Sequence, residues 1–130
     1  MTPEAQDYLE KARGDLSDAQ KIADIGLAKI AARTAYYAAF HAAEALIVER
    51  TGKVAKTHSG VRSEFARLLN DPSGGQRTLL VFLAQAYKYK EIGDYGIGAG
   101  AFVTDAEAVE AIETARQFVD RVIALLAPER

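Results

Sequence analysis

The sequence predicts an all-α fold, an up-and-down four-helix bundle with one additional short helix. Three observations lead there. Alanine, the strongest helix former, occurs 25 times in 130 residues. The three prolines stand at positions 3, 72 and 128, near the ends or in a turn, so none interrupts a long stretch. Apolar residues recur at spacings of three and four, and strand-like alternation is scarce. With 49% apolar residues the chain has enough material for a core, and its length fits one helical domain over residues 1–130.

The first helix is expected from Pro3 to about Ala23. Thr2 suits the cap, Pro3 the first helical position, and Glu4 the positive helix end. Leu9, Ala12, Leu16, Ala19 and Ala23 make its apolar stripe. A second helix is expected from Gly26 to Thr51, with Gly52 just past its end. Its many alanines let neighbours approach closely, which places it centrally. A short third helix spans His58 to Leu69, capped by Thr57 or Ser59. The run from Asn70 to Gly75 reads as a loop. The fourth helix runs from about Gln76 to Gly93, and Gly93, Gly96, Gly98 and Gly100 read as a flexible connection. Thr104 and Glu107 match a capping box opening the last helix, whose stripe is Val109, Ile112, Ala115, Val119, Val122 and Leu126.

Composition excludes several classes. A net charge of -2 gives no chain-wide basic field for nucleic acid or acidic lipid, though a local basic patch is compatible with it. The absence of cysteine removes disulfides, thiolate metal sites and a cysteine nucleophile. Two histidines alone make a structural zinc site improbable, and neither a metal nor a cofactor is expected. No apolar run is long enough to cross a bilayer, and the start lacks the pattern of a secretory signal. A cytoplasmic protein without membrane association is the expectation.

On the second helix Lys29, Arg33, Tyr37, His41 and Glu44 fall within about 120° of arc. Charge and aromatic surface therefore gather on one side of an alanine-rich rod. Three blocks in series carry a further signal: Arg33-Thr34-Ala35-Tyr36-Tyr37-Ala38-Ala39-Phe40-His41-Ala42-Ala43, then Lys56-Thr57-His58-Ser59-Gly60-Val61 ahead of Phe65, then Lys90-Glu91-Ile92-Gly93-Asp94-Tyr95. In order and spacing the chain resembles the small stand-alone prokaryotic members of the HEPN superfamily. The resemblance implies a helical bundle that often dimerises. It also implies a setting among metal-independent RNases and RNA-binding modules of toxin-antitoxin, defence or stress systems, frequently beside a minimal nucleotidyltransferase. In the RNase members an arginine followed within a few residues by a histidine is catalytic. Here Arg33 and His41 are separated by seven residues, as are Arg50 and His58, so the motif's usual spacing is not met.

Each candidate has two readings. His41 suits a general acid or base, and Arg33 suits a phosphate or a developing negative charge; both also suit structural hydrogen bonds at the bundle edge. Tyr36 and Tyr37 can stack on a base, or line a core or dimer interface. His58, with Lys56 and Thr57 before it, opens a helix and so suits an anion, or is incidental to capping. Asp94, followed by Tyr95, either pairs with Lys90 at a helix stop or faces Arg33 or His58 across the bundle. Lys88 and Lys90, alternating with Tyr87 and Tyr89, suit RNA or simply the helix dipole. The glycines after Gly93 follow a helix and lack a Gly-Lys-Ser/Thr ending, so they are no phosphate loop.

The leading expectation is a HEPN-like binding and assembly module. It homodimerises, belongs to a two-gene toxin-antitoxin or stress system with a nucleotidyltransferase partner, and binds nucleotide or RNA phosphate. Its catalytic candidates are His41, His58 and Arg33; its ligand-binding candidates are Tyr36, Tyr37, Lys56, Lys90, Asp94 and Tyr95. The alternatives are a metal-independent endoribonuclease with a divergent site, and a purely structural interaction protein.

Overall fold

Helix α1 covers Pro3–Asp24, α2 Ala28–Thr51, α3 His58–Leu68, α4 Gly75–Tyr95 and α5 Asp105–Leu126, with a 3₁₀ turn at Ala99–Ala101 before α5. The computed structural model describes residues 1–69 and 75–127, and among these there is no strand. Three long-range bonds fix the directions. The Thr2 amide donates to Glu49 Oε1 at 2.8 Å, and Arg50 Nη2 donates to the Leu125 carbonyl at 2.9 Å. The start of α1, the end of α2 and the end of α5 therefore share one end of the bundle. Arg33 bonds Asp94, which joins the first half of α2 to the last turn of α4. So α1 and α4 run one way and α2 and α5 the other, the up-and-down arrangement expected.

Local chemistry sets four of the helix ends. The Thr2 hydroxyl accepts from the Ala5 amide, and Thr57 Oγ1 accepts from Gly60. Thr104 and Glu107 form the reciprocal capping box. Gly52 closes α2 at φ 71°, a left-handed conformation that disfavours side chains. Two boundaries differ from the sequence expectation. Gly26 has φ 85° and belongs to the α1–α2 turn, so α2 starts at Ala28. Helix α4 continues through Gly93 to Tyr95. A helical glycine costs only about 1 kcal/mol, and the packing of α4 on α2 outweighs it. Of the loop expected at Asn70–Gly75, residues 70–74 lie outside the described residues and Gly75 opens α4.

Helix α2 packs against each of the other four helices. Its Ala31, Ala32, Ala35, Ala38, Ala39, Ala42, Ala43 and Ala45 are fully buried, which lets the backbones close on it. Around its first half the core is built from small residues: Ala19, Ala31, Ala35, Ala108, Ala111 and Ala115. Around its second half it is built from large ones, including Leu9, Tyr36, Leu46, Phe65, Leu83 and Phe118. Two stripes shift from their expected register. In α5 Ala108 is buried and Val109 is exposed, because Ala108 lies one turn before Ile112. In α1 the buried set is Ala5, Leu9, Ala12, Asp15 and Ala19, so a carboxylate occupies a core position while Leu16 is half-buried. No helix of the described residues is long and apolar enough to cross a membrane.

Candidate functional site

Arg33, Tyr37 and His41 lie at successive turns of one face of α2. That face is bordered by α4 on one side and α1 on the other, and the polar residues divide accordingly.

On the α4 side the side chains close into a ring. Arg33 Nε donates to Asp94 Oδ1 at 2.6 Å, and Lys90 Nζ lies 3.2 Å from Asp94 Oδ2. Lys90 Nζ also lies 5.9 Å from the centre of the Tyr87 ring, which is 5.3 Å from the His58 imidazole. His58 meets Tyr37 edge-on at 5.9 Å, and the Arg33 guanidinium covers Tyr37 at 5.2 Å. Gly93 makes the first of these contacts possible. A Cβ there would come within 2.5 Å of Arg33 Cδ, so the arginine reaches Asp94 across a bare stretch of helix. Burial acts to raise the Asp94 carboxyl, but the hydrogen bonds from Arg33 and Lys90 outweigh it and hold it below the usual carboxylate range. The bond to Asp94 in turn raises the Lys90 ammonium.

Behind the ring stands Tyr36, which is fully buried, with its hydroxyl 2.8 Å from His58 Nδ1. Burial pushes the Tyr36 phenol well above its ordinary value. Burial, and then the charges of Lys90 and Arg62, hold the His58 imidazole below its ordinary value. Arg62, one turn after His58, lies over the Tyr87 ring at 4.8 Å.

On the α1 side His41 Nδ1 is 2.7 Å from Glu44 Oε1, and Nε2 is 3.7 Å from Asp15 Oδ2. Lys11 Nζ holds the other Asp15 oxygen at 3.1 Å. Tyr8 and Tyr37 both stack with the His41 imidazole, at 6.5 and 5.8 Å. Lys11, Asp15, Arg33, Thr34, Tyr37 and His41 line a hollow of about 270 Å³. A neighbouring hollow of about 420 Å³ is lined by Glu4, Asp7, Tyr8, Lys11 and His41. Arg33 and His41 thus open into one space despite their sequence separation, whereas His58 and Asp94 do not line it.

The candidate residues fall into three groups. Arg33, Tyr37, Lys90, Asp94 and His58 come together, with Tyr36 beneath them. His41 shares Tyr37 and the hollow with Arg33 but takes its partners from α1 and α2. Lys56 is exposed ahead of α3, and no bond ties it to the cluster among the described residues. Tyr95 is exposed, with Lys90 Nζ 5.1 Å from its ring centre. Several participants are not among the candidates drawn from the sequence, Asp15, Glu44, Arg62 and Gly93 among them. Asp15 carried a readable signal, a carboxylate in register with an apolar stripe, three residues after Ala12 and four before Ala19. Glu44 carried one as well, being i+3 from His41 on the polar arc. Arg62 and Gly93 act through contacts with α4 and α2, which no local pattern encodes. Among the described residues no cluster of three or more His, Asp or Glu is arranged for a metal ion.

Comparison with known proteins bears on the chain as a whole. The profile of the HEPN domain matches residues 5–125. A UPF0332 protein of Gloeobacter violaceus is 30% identical over 129 residues, covering 98% of this chain and 99% of that protein. A UPF0332 protein of Archaeoglobus fulgidus is 34% identical over 96 residues, or 68% of this chain and 70% of its own length. The crystal structure of TT1696 from Thermus thermophilus superimposes with a TM-score of 0.81 at 30% identity, over 96% of this chain and all of that one.

Proposed function

Because the chain belongs to the HEPN domain family, we propose that it is a binding and assembly module that takes the phosphate of a nucleotide or RNA on the Arg33 face of α2. The observation that supports this best is the ring of Arg33, Lys90 and His58 around tyrosine faces, with Asp94 bonded to two of its cations. A guanidinium held by one N–H still has others to offer a phosphate, and tyrosine rings offer a base a stacking surface. On this reading Arg33 and Lys90 meet the phosphate, His58 contributes a hydrogen bond, and Tyr37 and Tyr95 lie against the base. The protein acts as a homodimer in a two-gene toxin-antitoxin or stress system beside a minimal nucleotidyltransferase; this part rests on the kinship alone.

A second reading is supported by the hollow that Arg33 and His41 share. There the module is a metal-independent endoribonuclease. Glu44 accepts the Nδ1 proton of His41 and orients the ring, which leaves Nε2 to take a proton from a 2′-hydroxyl. That oxygen bonds to phosphorus, the P–O5′ bond breaks, the 5′-oxygen leaves and takes up a proton, and Arg33 stabilises the charge on the phosphate oxygens. One experiment separates the two. Purified protein is incubated with labelled single-stranded RNA in excess chelator, and both binding and chain length are followed. Binding without cleavage, weakened about tenfold in Arg33→Ala, supports the module. Cleavage that is lost in His41→Gln supports the nuclease. Neither binding nor cleavage rejects both and leaves a structural interaction protein.

A further inference from the structure

We infer that Tyr36 is a positioning residue: its hydroxyl locks His58 as the tautomer protonated on Nε2, so that the ring presents an N–H donor to an anionic oxygen of the ligand. This deepens the binding reading above and gives His58 one role in it, that of donor.

Tyr36 and His58 share a single short contact. Tyr36 O and His58 Nδ1 are 2.8 Å apart, so one proton lies between them, carried either by the hydroxyl or by the ring. Burial decides which. Tyr36 is fully buried, and among the described residues His58 Nδ1 is the one acceptor its hydroxyl meets, since the nearby Arg62 guanidinium can only donate. Were Nδ1 the donor, the phenol proton would be buried without an acceptor, so the hydroxyl proton is directed to Nδ1 and the proton of the neutral ring sits on Nε2. Tyr36 cannot turn away, being fully buried among Tyr37, Phe40 and Tyr87. The His58 ring is equally confined, with Phe40 at 4.4 Å and Tyr36 stacked at 5.8 Å.

The charges facing His58 favour the same state. Arg62 from its own helix and Lys90 from α4 oppose a proton on the ring, while Glu44 from α2 and Glu91 from α4 act the other way and more weakly. Tyr36, Tyr37, Phe40 and Tyr87 complete the surroundings. Among the described residues no hydrogen bond engages Nε2, and this atom is not one of those buried without a partner. It is therefore open to a ligand. A ring whose Nδ1 is already an acceptor and whose Nε2 carries a proton has no lone pair to act as base. It can only donate.

The test is ¹⁵N NMR of the full chain with labelled histidine. The protein has two histidines, so His41→Gln assigns the signals. At neutral pH His58 is expected to show one pyrrole-like nitrogen at Nε2 and one pyridine-like, hydrogen-bonded nitrogen at Nδ1. In Tyr36→Phe, which keeps the ring and its packing, the two resonances should converge as tautomers mix, and the titration midpoint of His58 should move. A protonated Nδ1 in the parent protein, or the same spectrum in Tyr36→Phe, overturns the inference. The ligand arm uses adenosine 5′-monophosphate: the Nε2 resonance should shift on addition, and Tyr36→Phe should weaken binding about five- to tenfold, as loss of one oriented hydrogen bond predicts. Binding that leaves Nε2 unmoved overturns the donor role. If neither the nucleotide nor the labelled RNA binds, the proposed function fails, and with it the donor role, while the apo spectrum still decides the locked tautomer.

Discussion

The two histidines both pack on Tyr37, one stacked and one edge-on, and take unlike partners. His58 Nδ1 lies 2.8 Å from a buried hydroxyl, beside two cations. His41 Nδ1 donates to the Glu44 carboxylate, with a second carboxylate, Asp15, 3.7 Å from Nε2. A carboxylate only accepts, whereas the buried Tyr36 hydroxyl has, among the described residues, no acceptor but His58 Nδ1 for its proton. The neighbour's chemistry thus fixes which ring nitrogen carries the proton. The two proposed readings divide in the same way: binding uses His58 as a donor, and cleavage uses His41 as a base. Arg33, over the ring of Tyr37, is common to both sides.

Removing the aromatic partner on each side should break the comparison most visibly. Tyr36→Ala empties a buried site and should cost about 3–5 kcal/mol in urea denaturation. Tyr8→Ala, at a half-exposed ring beside His41, should cost on the order of 1 kcal/mol. Equal losses would mean that the His58 side is not the more tightly packed one.

The next effect is on binding rather than stability. Gly93→Ala forces the Arg33 side chain away from Asp94, because Arg33 Cβ and Cγ crowd the new methyl group as well as Cδ. Alanine also improves the helix by about 1 kcal/mol, so the melting temperature should change little. Affinity for adenosine 5′-monophosphate should fall about tenfold, near 1.4 kcal/mol. Unchanged affinity would remove Asp94 from any role in aiming Arg33.

On the His41 side, Asp15→Leu exchanges a buried carboxylate for a residue that suits the stripe of α1. Buried charges seldom repay their desolvation, so stability should stay within about 1 kcal/mol or rise. If the second reading holds, RNA cleavage should fall although the fold improves. A marked loss of stability would instead make Asp15 a structural residue.

The smallest effect is the dependence of stability on pH. The folded state holds His58 below its ordinary value, so as the pH falls below about 6.5 the unfolded chain takes up a proton first. Stability present above that pH is therefore lost on acidification through the folded-state midpoint. His58→Gln should flatten this limb. Asp94 and Glu107, both held below the usual carboxylate range, should leave a separate loss at more acidic pH that His58→Gln does not touch.

Much of the architecture is legible because it is written in local chemistry. Thr2, Thr57, Thr104 with Glu107, and Gly52 act on amides or turns within a few residues of themselves. The same locality explains what misleads. Gly93 has the look of a helix stop, yet it is kept for a contact with Arg33, sixty positions earlier in the chain. Asp15 reads as one of many surface acids until α1 turns it toward His41. The meeting of Arg33 with Asp94 was foreseeable as one of two options, and the structure realises both, since Asp94 bonds Lys90 as well. Arg62 had no such hint: its partners Tyr36 and Tyr87 lie on two other helices.

Central to the proposed function is the Arg33 face of α2 as the seat of a phosphate-bearing ligand. The direct measurement is a titration of adenosine 5′-monophosphate into isotope-labelled protein, followed at side-chain resonances. Saturable shifts should appear at Arg33 Nε, His58 Nε2 and the Tyr37 ring, and Arg33→Ala should abolish them. Shifts confined to the groove of Thr78, Phe82 and Phe118 between α4 and α5 would contradict it.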